Sequence, residues 1–182
     1  MRQQLFVYVC ILAVIVVNSC NNSTEPDLSP VSLVSNPSFE VNGKPSLNGW
    51  KIMDSMSVRL VEDTPSGGGR WSLRLDASAF PGSAAYTMVP AGQGRHRYRF
   101  SLWCKRTGVT LSSASIGFRP HDTSSVFLNF LPVHDTDWTF HSFLDTVTAN
   151  ARDSLFIFLF GGPNDDGAGQ TFFDLCKLER LD

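Results

Sequence analysis

The chain has 182 residues and a formal net charge of −2, with 15 Lys and Arg against 17 Asp and Glu. Hydrophobic residues make up 42% of it, including 14 Phe and 4 Trp, which is enough apolar surface to bury one core. A weakly acidic chain without a Lys/Arg cluster lacks the basic footprint that nucleic acids and anionic lipid surfaces require, so neither is expected as a partner.

The N-terminal segment predicts export. Arg2 precedes an unbroken apolar run of 13 residues, 5–17, which ends in small and polar residues before Cys20. Because a bilayer-spanning helix needs about 20 apolar residues, this run predicts a cleaved signal over 1–19 and not a membrane span. The residues before Cys20 resemble the lipobox of bacterial lipoproteins, in which that cysteine is lipidated and becomes the new N-terminus. An ordinary secretory signal cleaved nearby is the alternative.

Residues 20–30 predict a flexible tether, since they are polar, carry two prolines and show no apolar periodicity. The folded domain is expected over 31–182. If Cys20 is lipidated, the lipid is the only membrane attachment, and the domain works at the cell envelope, with the outer membrane as the expected surface.

From residue 31 onward, apolar residues alternate with polar ones in short runs separated by Gly/Pro turns. The predicted strands are, in chain order, 57–61, 72–76, 86–89, 98–105, 114–119, 126–131, 139–144, 154–160 and 171–178. In the fourth run, Tyr98, Phe100, Leu102 and Cys104 share one face, which we expect in the core. Regular short strands without a helical segment predict an all-β fold, a sandwich of two antiparallel sheets.

The cysteine count narrows to one pair. Cys10 lies inside the predicted signal and Cys20 is assigned to lipid, which leaves Cys104 and Cys176. Two cysteines in an exported domain can form a disulfide. The alternative is two buried, unpaired thiols that act as small hydrophobic side chains.

Several short motifs are each weak evidence alone, but their order along the chain is informative. They are Asn-Pro-Ser-Phe-Glu at 36–40, Gly-Trp at 49–50, Ser-Leu-Arg-Leu at 72–75, Trp-Cys-Lys at 103–105, Trp-Thr-Phe at 138–140 and Phe-Phe-Asp-Leu-Cys-Lys-Leu at 172–178. In that order and spacing the chain resembles the jelly-roll carbohydrate-binding modules of families four, nine and twenty-two, within the galactose-binding-like group. The resemblance covers residues 33–178 and implies a jelly-roll sandwich. Domains with this frame serve several functions, so it bears more on architecture than on ligand.

The resemblance also implies a structural calcium beside the first and last strands, held by Glu40 and Asp174. Calcium takes 6–8 oxygen ligands, so backbone carbonyls and loop residues near Ser66 would have to complete the shell. The chain departs from the family pattern at Leu175, where a second Asp is usual. The alternative is that Asp174 satisfies buried backbone donors while Glu40 faces solvent.

Sugar recognition needs flat aromatic surface and planar polar groups on a solvent-facing sheet. Trp103, Arg119 and Asn129 each alternate with apolar neighbours and are the candidates for one carbohydrate-binding groove. Each has a structural alternative: Trp103 at a sandwich edge, Arg119 in a surface ion pair, and Asn129 at a bulge.

The run 154–160 is apolar at both its odd and its even positions, which point to opposite faces of a strand. This pattern predicts burial on both faces. A loop, another protein or an apolar part of a ligand could cover the face of Phe156, Phe158 and Phe160. This stripe supports a second hypothesis, a structural or assembly lipoprotein that docks onto an envelope protein.

Catalysis has little support from motifs. The sequence has no GxSxG elbow, HExxH or glycine-rich phosphate loop, and no cysteine is placed with a histidine partner. We therefore expect a non-enzymatic, lipid-anchored module that binds a glycan at the cell envelope.

Overall fold

A computed structural model describes residues 31–77, 82–108, 111–162 and 169–182. The predicted signal, the tether and Cys20 lie outside the described residues.

Within the described residues, twelve antiparallel strands form two sheets and one small hairpin. Their bounds are β1 Glu40–Val41, β2 Lys44–Pro45, β3 Lys51–Ile52, β4 Val58–Val61, β5 Ser72–Asp76, β6 Ser83–Pro90, β7 Gly94–Thr107, β8 Ser113–Arg119, β9 Val126–Pro132, β10 Thr139–Ala149, β11 Ser154–Gly162 and β12 Gln170–Arg180. The first sheet has the order β10-β7-β12-β5-β4, and the second has the order β3-β6-β11-β8-β9. The predicted all-β sandwich is confirmed.

Each of the nine predicted runs falls on a strand, from β4 to β12. The sequence patterns missed β1, β2 and β3, which have two residues each and are too short to show alternation. The β1–β2 hairpin turns at Asn42 and Gly43, both at positive φ (54° and 71°), as a tight turn matched to strand twist requires.

The core lies between the two sheets. In β7, Tyr98, Phe100, Leu102 and Cys104 are all at most 1% exposed, which confirms the predicted buried face. The opposite sheet contributes Leu155, Ile157 and Leu159 of β11, also at most 1% exposed, among other residues. Burial of this apolar surface is the main favourable term for the fold, at about 25 cal/mol per Å² removed from water.

The two cysteines are buried and free, which contradicts the disulfide and agrees with the alternative. Burial and, to a smaller extent, the Asp135 carboxylate raise the pKa of the Cys104 thiol to about 12. Burial likewise raises the pKa of Cys176 well above its usual value. Both thiols stay protonated and act as small core side chains.

No helix within the described residues is long and apolar enough to cross a membrane.

Candidate functional site

The outer face of the first sheet is partly covered by loops. Asp63 accepts hydrogen bonds from Lys105 Nζ (2.9 Å) and Trp138 Nε1 (3.0 Å), which ties the loops before β5 and before β10 to the sheet. Trp138 packs edge-on against Phe172, with ring centroids 6.3 Å apart. As a result Phe172 is only 5% exposed although it pairs with the outward Lys105. Little of this end of the face is open to a ligand.

The outer face of the second sheet carries a groove of about 400 Å³, which we call the aromatic groove. It is lined by Met53, Tyr86, Met88, Arg119, Ser125, Phe127, Phe156 and Phe158. The strand register builds it, because Phe156 and Phe158 of β11 pair with Met88 and Tyr86 of β6, so all four side chains share one face.

The rings in the aromatic groove contact one another. Tyr86 and Phe158 are stacked, with centroids 6.5 Å apart and planes at 29°. Phe127 meets Phe156 and Phe158 edge-on at 5.5 and 6.3 Å. Lys51 Nζ lies 5.8 Å from the centroid of the Tyr86 ring. Such a surface offers ring faces for stacking beside a few polar groups.

Gly117 leaves the space that the Phe156 ring occupies at one side of the aromatic groove. Phe156 crosses directly over it, and a Cβ at position 117 would meet the Phe156 ring at 2.0 to 2.6 Å. Any side chain there would push Phe156 away from Phe127. The β8 glycine therefore fixes the depth of the aromatic groove.

The expectation that β11 is buried on both faces is half right. Leu155, Ile157 and Leu159 lie in the core, whereas Phe156, Phe158 and Phe160 are half-buried. Neighbouring rings on the same face cover these three side chains in part. The stripe therefore forms the base of a groove that is open to solvent.

The structure does not bring the three predicted groove residues together. Trp103 lies on the first sheet beside Phe140, with ring centroids 5.6 Å apart, and Arg119 lines the aromatic groove on the second. Asn129 pairs with the buried Ile116 at a β-bulge and its Oδ1 accepts the Phe130 amide, 3.0 Å away. The single groove made of all three is therefore wrong. Contact of Arg119 with a ligand stays a prediction.

Sequence reasoning missed Tyr86, Met88 and Phe127. The first two had a signal, since they share a parity in the run 86–89 and alternate with Thr87 and Val89. Phe127 had no such signal in the sequence, because the bulge in β9 changes which face of the strand its side chain points to. Only the pairing of β6, β11, β8 and β9 joins these residues.

The structure does bring Glu40 and Asp174 to one loop. A Cβ on Gly68 would lie 2.2 Å from Asp174 Oδ2, and a Cβ on Gly69 would lie 2.5 Å from Glu40 Oε1. The Arg70 amide donates to Glu40 Oε2 (2.9 Å). The loop backbone therefore packs directly against both carboxylates, as only glycines allow.

Asp174 is fully buried, and its Oδ2 has no hydrogen-bond partner. Burial and, to a smaller extent, the Glu40 carboxylate raise its pKa to about 8, against an opposing hydrogen bond from the Leu175 amide. An orphaned, buried carboxylate oxygen beside a second carboxylate is the donor chemistry that a hard cation such as calcium takes.

The described residues thus fit calcium in donor type, with backbone carbonyls needed to complete the shell. They hold no group of three or more His, Cys, Asp or Glu side chains able to share a metal ion. The two carboxylates alone would be an incomplete shell.

No protein-family model matches this chain, and no curated protein matches its sequence. Solved structures share its fold. The module TmCBM61, in complex with beta-1,4-galactotriose, aligns at a TM-score of 0.57 and 15% identity, over 83% of this chain and 99% of that one. The CBM22-1 xylan-binding domain of Paenibacillus barcinonensis Xyn10C aligns at 0.52 and 14% identity, over 74% and 86% of the two chains.

The enzymatically active domain of tailspike protein 4 from bacteriophage CBA120 aligns at a TM-score of 0.59 and 19% identity. The match covers 83% of this chain but only 22% of the tailspike chain. At these identities the likeness establishes the fold. The chain has the jelly-roll β-sandwich of carbohydrate-binding modules.

Proposed function

We propose that the chain is a non-catalytic binding module that holds a glycan in the aromatic groove of its second sheet. The observation that carries the proposal is the stacked pair Tyr86 and Phe158, with centroids 6.5 Å apart, in an open groove that ends at Arg119. Ring faces stack on the apolar face of a sugar, and a guanidinium donates to its oxygens. The shared fold of TmCBM61 and the xylan-binding domain supports this choice of ligand class.

The test is affinity electrophoresis of residues 31–182 against β-1,4-galactan, xylan and polygalacturonate. Tyr86→Ala and Phe158→Ala should each weaken binding about two- to tenfold, because an aromatic contact contributes roughly 0.5–1.5 kcal/mol beyond burial. Trp103→Ala removes a ring of the opposite sheet and is the matched control, which should bind as the wild type does. Loss of binding only in Trp103→Ala would overturn the proposal.

Docking onto an envelope protein is the second candidate. It is favoured by Phe127 and Phe130 of the edge strand β9, each 62% exposed. Phe130 does not line the aromatic groove, so Phe130→Ala separates the two candidates. It should leave glycan binding unchanged, and it should reduce self-association or partner capture only if this strand docks a protein.

We further propose that Glu40 and Asp174 hold a structural calcium. Asp174 is the anchor, since its buried Oδ2 lacks a hydrogen-bond partner, and Glu40 supplies the second carboxylate. Bound calcium would supply the positive charge that offsets both. The glycines at 68 and 69 let the loop backbone approach the carboxylates, and we expect carbonyl ligands from it.

The proposed location is the cell envelope, at the outer membrane, through a lipid on Cys20. It follows from the short apolar run and the lipobox-like residues before Cys20. The proposed tether then keeps the groove close to the membrane surface.

A further inference from the structure

One end of the aromatic groove opens into a second hollow of about 280 Å³. It is lined by Met88, Arg119, Pro120, His121, Arg152 and Ser154. Met88 and Arg119 line both spaces, so the two form one continuous groove. We call the second space the cationic end, because it is lined by two arginines and no carboxylate.

The fold holds the two arginines of the cationic end beside each other. Arg119 is the last residue of β8 and pairs with Ser154 of β11, and Arg152 lies two residues before Ser154. Asp153 is buried, and its carboxylate accepts the amides of His121 (2.9 Å) and Asn150 (2.7 Å). These bonds tie the turn after β8 to the turn before β11, so they fix the backbone of Arg119 and Arg152 at one end of the groove.

The guanidinium groups of the cationic end, those of Arg119 and Arg152, form no salt bridge within the part of the chain that the structure describes. Arg119 Nη1 lies 3.9 Å from Met88 Sδ, a weak acceptor.

Two acids, Asp122 and Asp153, lie near the cationic end and line an adjoining hollow with Arg152, but neither forms an ion pair with an arginine of the described residues. Asp153 accepts two backbone amides, and Asp122 lies 3.7 Å from His121. By contrast, three arginines of the first-sheet side, Arg70, Arg74 and Arg99, each have a carboxylate partner.

We propose that the groove binds an acidic glycan, in which one sugar stacks on Tyr86 and Phe158 while a nearby sugar presents a carboxylate to Arg119 and Arg152. The inference deepens the proposed function and rests on it. A planar guanidinium matches a carboxylate through two parallel hydrogen bonds, and such charged bonds are about twice as strong as neutral ones. The chain as a whole is weakly acidic, so attraction to a polyanion would have to come from this local pair.

The test measures binding of the full chain, in a non-ionic detergent without added calcium, to polygalacturonate and alginate. Each polymer is paired with its carboxyl-reduced, neutral form, and dextran sulfate provides a sulfate arm. Arg119→Gln/Arg152→Gln should weaken binding to the uronates at least about tenfold, and raised ionic strength should weaken the wild type. The control is Arg95→Gln in β7 of the first sheet, which should leave affinity unchanged.

The outcomes separate the two proposals. Equal binding of the acidic and reduced polymers, unaffected by the double variant, overturns the acidic ligand and keeps glycan binding. Binding to dextran sulfate alone, or an equal loss in Arg95→Gln, overturns the carboxylate contact. Absence of binding to every polymer overturns both proposals.

Discussion

Asp174 and Glu40 each stand next to a residue in the left-handed backbone region. Phe39 (φ 54°) precedes Glu40, and Leu175 (φ 48°) follows Asp174 at a bulge in β12. A non-glycine residue there costs of order 1–3 kcal/mol and persists only where its surroundings fix it. Phe39 is fully buried against Trp50, with ring centroids 5.0 Å apart, and the Leu175 amide donates to Asp174 Oδ1 (2.7 Å). The backbone strain lies at the candidate metal site.

Calcium should raise the thermal unfolding midpoint of the wild type by about 5–10 °C at roughly a hundred times its Kd, measured by calorimetry against a chelator. Asp174→Asn should remove most of this shift. In chelator above pH 8, where the Asp174 carboxyl is charged, the variant should unfold no earlier than the wild type, because a neutral amide avoids the cost of burying a charge and, to a smaller extent, the repulsion from Glu40.

Asp122→Asn is the control for that measurement, since the Asp122 side chain is 89% exposed, and it should keep the calcium shift. An unchanged midpoint when calcium is added to the wild type would contradict the metal site.

The thiols of Cys104 and Cys176 make a separate residue-scale prediction. Both are fully buried and protonated, so iodoacetamide should modify neither in the native domain 31–182. In denaturant without reductant it should modify both, and mass spectrometry counts the added groups. A requirement for reductant before labelling would instead show a disulfide.

At the scale of elements, the edge of the second sheet decides what the groove contains. The register of β8 and β9 shifts between Ile116 and Gly117, so that Asn129 faces Ile116 while Phe127 faces Gly117. A bulge of this kind moves side chains between the two faces of a strand. It is the reason that Phe127, and not Asn129, joins Phe156 in the aromatic groove.

Gly117→Ala should therefore weaken glycan binding more than it weakens the fold. The added methyl group meets the half-buried Phe156 ring, which has space to turn outward but then leaves Phe127. We expect about a two- to tenfold loss of affinity, with a fall of a few degrees in the unfolding midpoint.

Gly67→Ala is the comparison variant for Gly117→Ala. Its Cβ meets nothing within 4 Å, and its φ of 80° adds only local strain, so it should cost stability without changing affinity. Equal affinity of Gly117→Ala and the wild type would show that Phe156 is not part of the binding surface.

At the scale of the whole molecule, alternation within a strand predicts faces but not sheets. The buried face of β7 follows directly from the spacing of Tyr98, Phe100, Leu102 and Cys104. The sequence pattern places Trp103 and Arg119 on one surface, because both alternate with apolar neighbours. Yet β7 and β8 are consecutive in the chain and lie in opposite sheets, so equal parity puts the two side chains on opposite sides of the molecule. The pairing of distant strands, which joins β6 to β11 and β11 to β8, leaves no local signal.

The position of the groove on one face would also matter if residues 20–30 form the proposed tether. A flexible chain of about ten residues would reach roughly 16–19 Å, so the groove would meet its ligand close to the membrane. Expression of the full chain in a bacterium with labelled palmitate tests the anchor. Cys20→Ser should lose the label and leave the membrane fraction, because the lipid would be the only attachment. Cys10→Ser, in the same N-terminal segment, should keep both. Label that persists in Cys20→Ser, or soluble wild-type protein, would contradict the lipid anchor and favour an ordinary secretory signal.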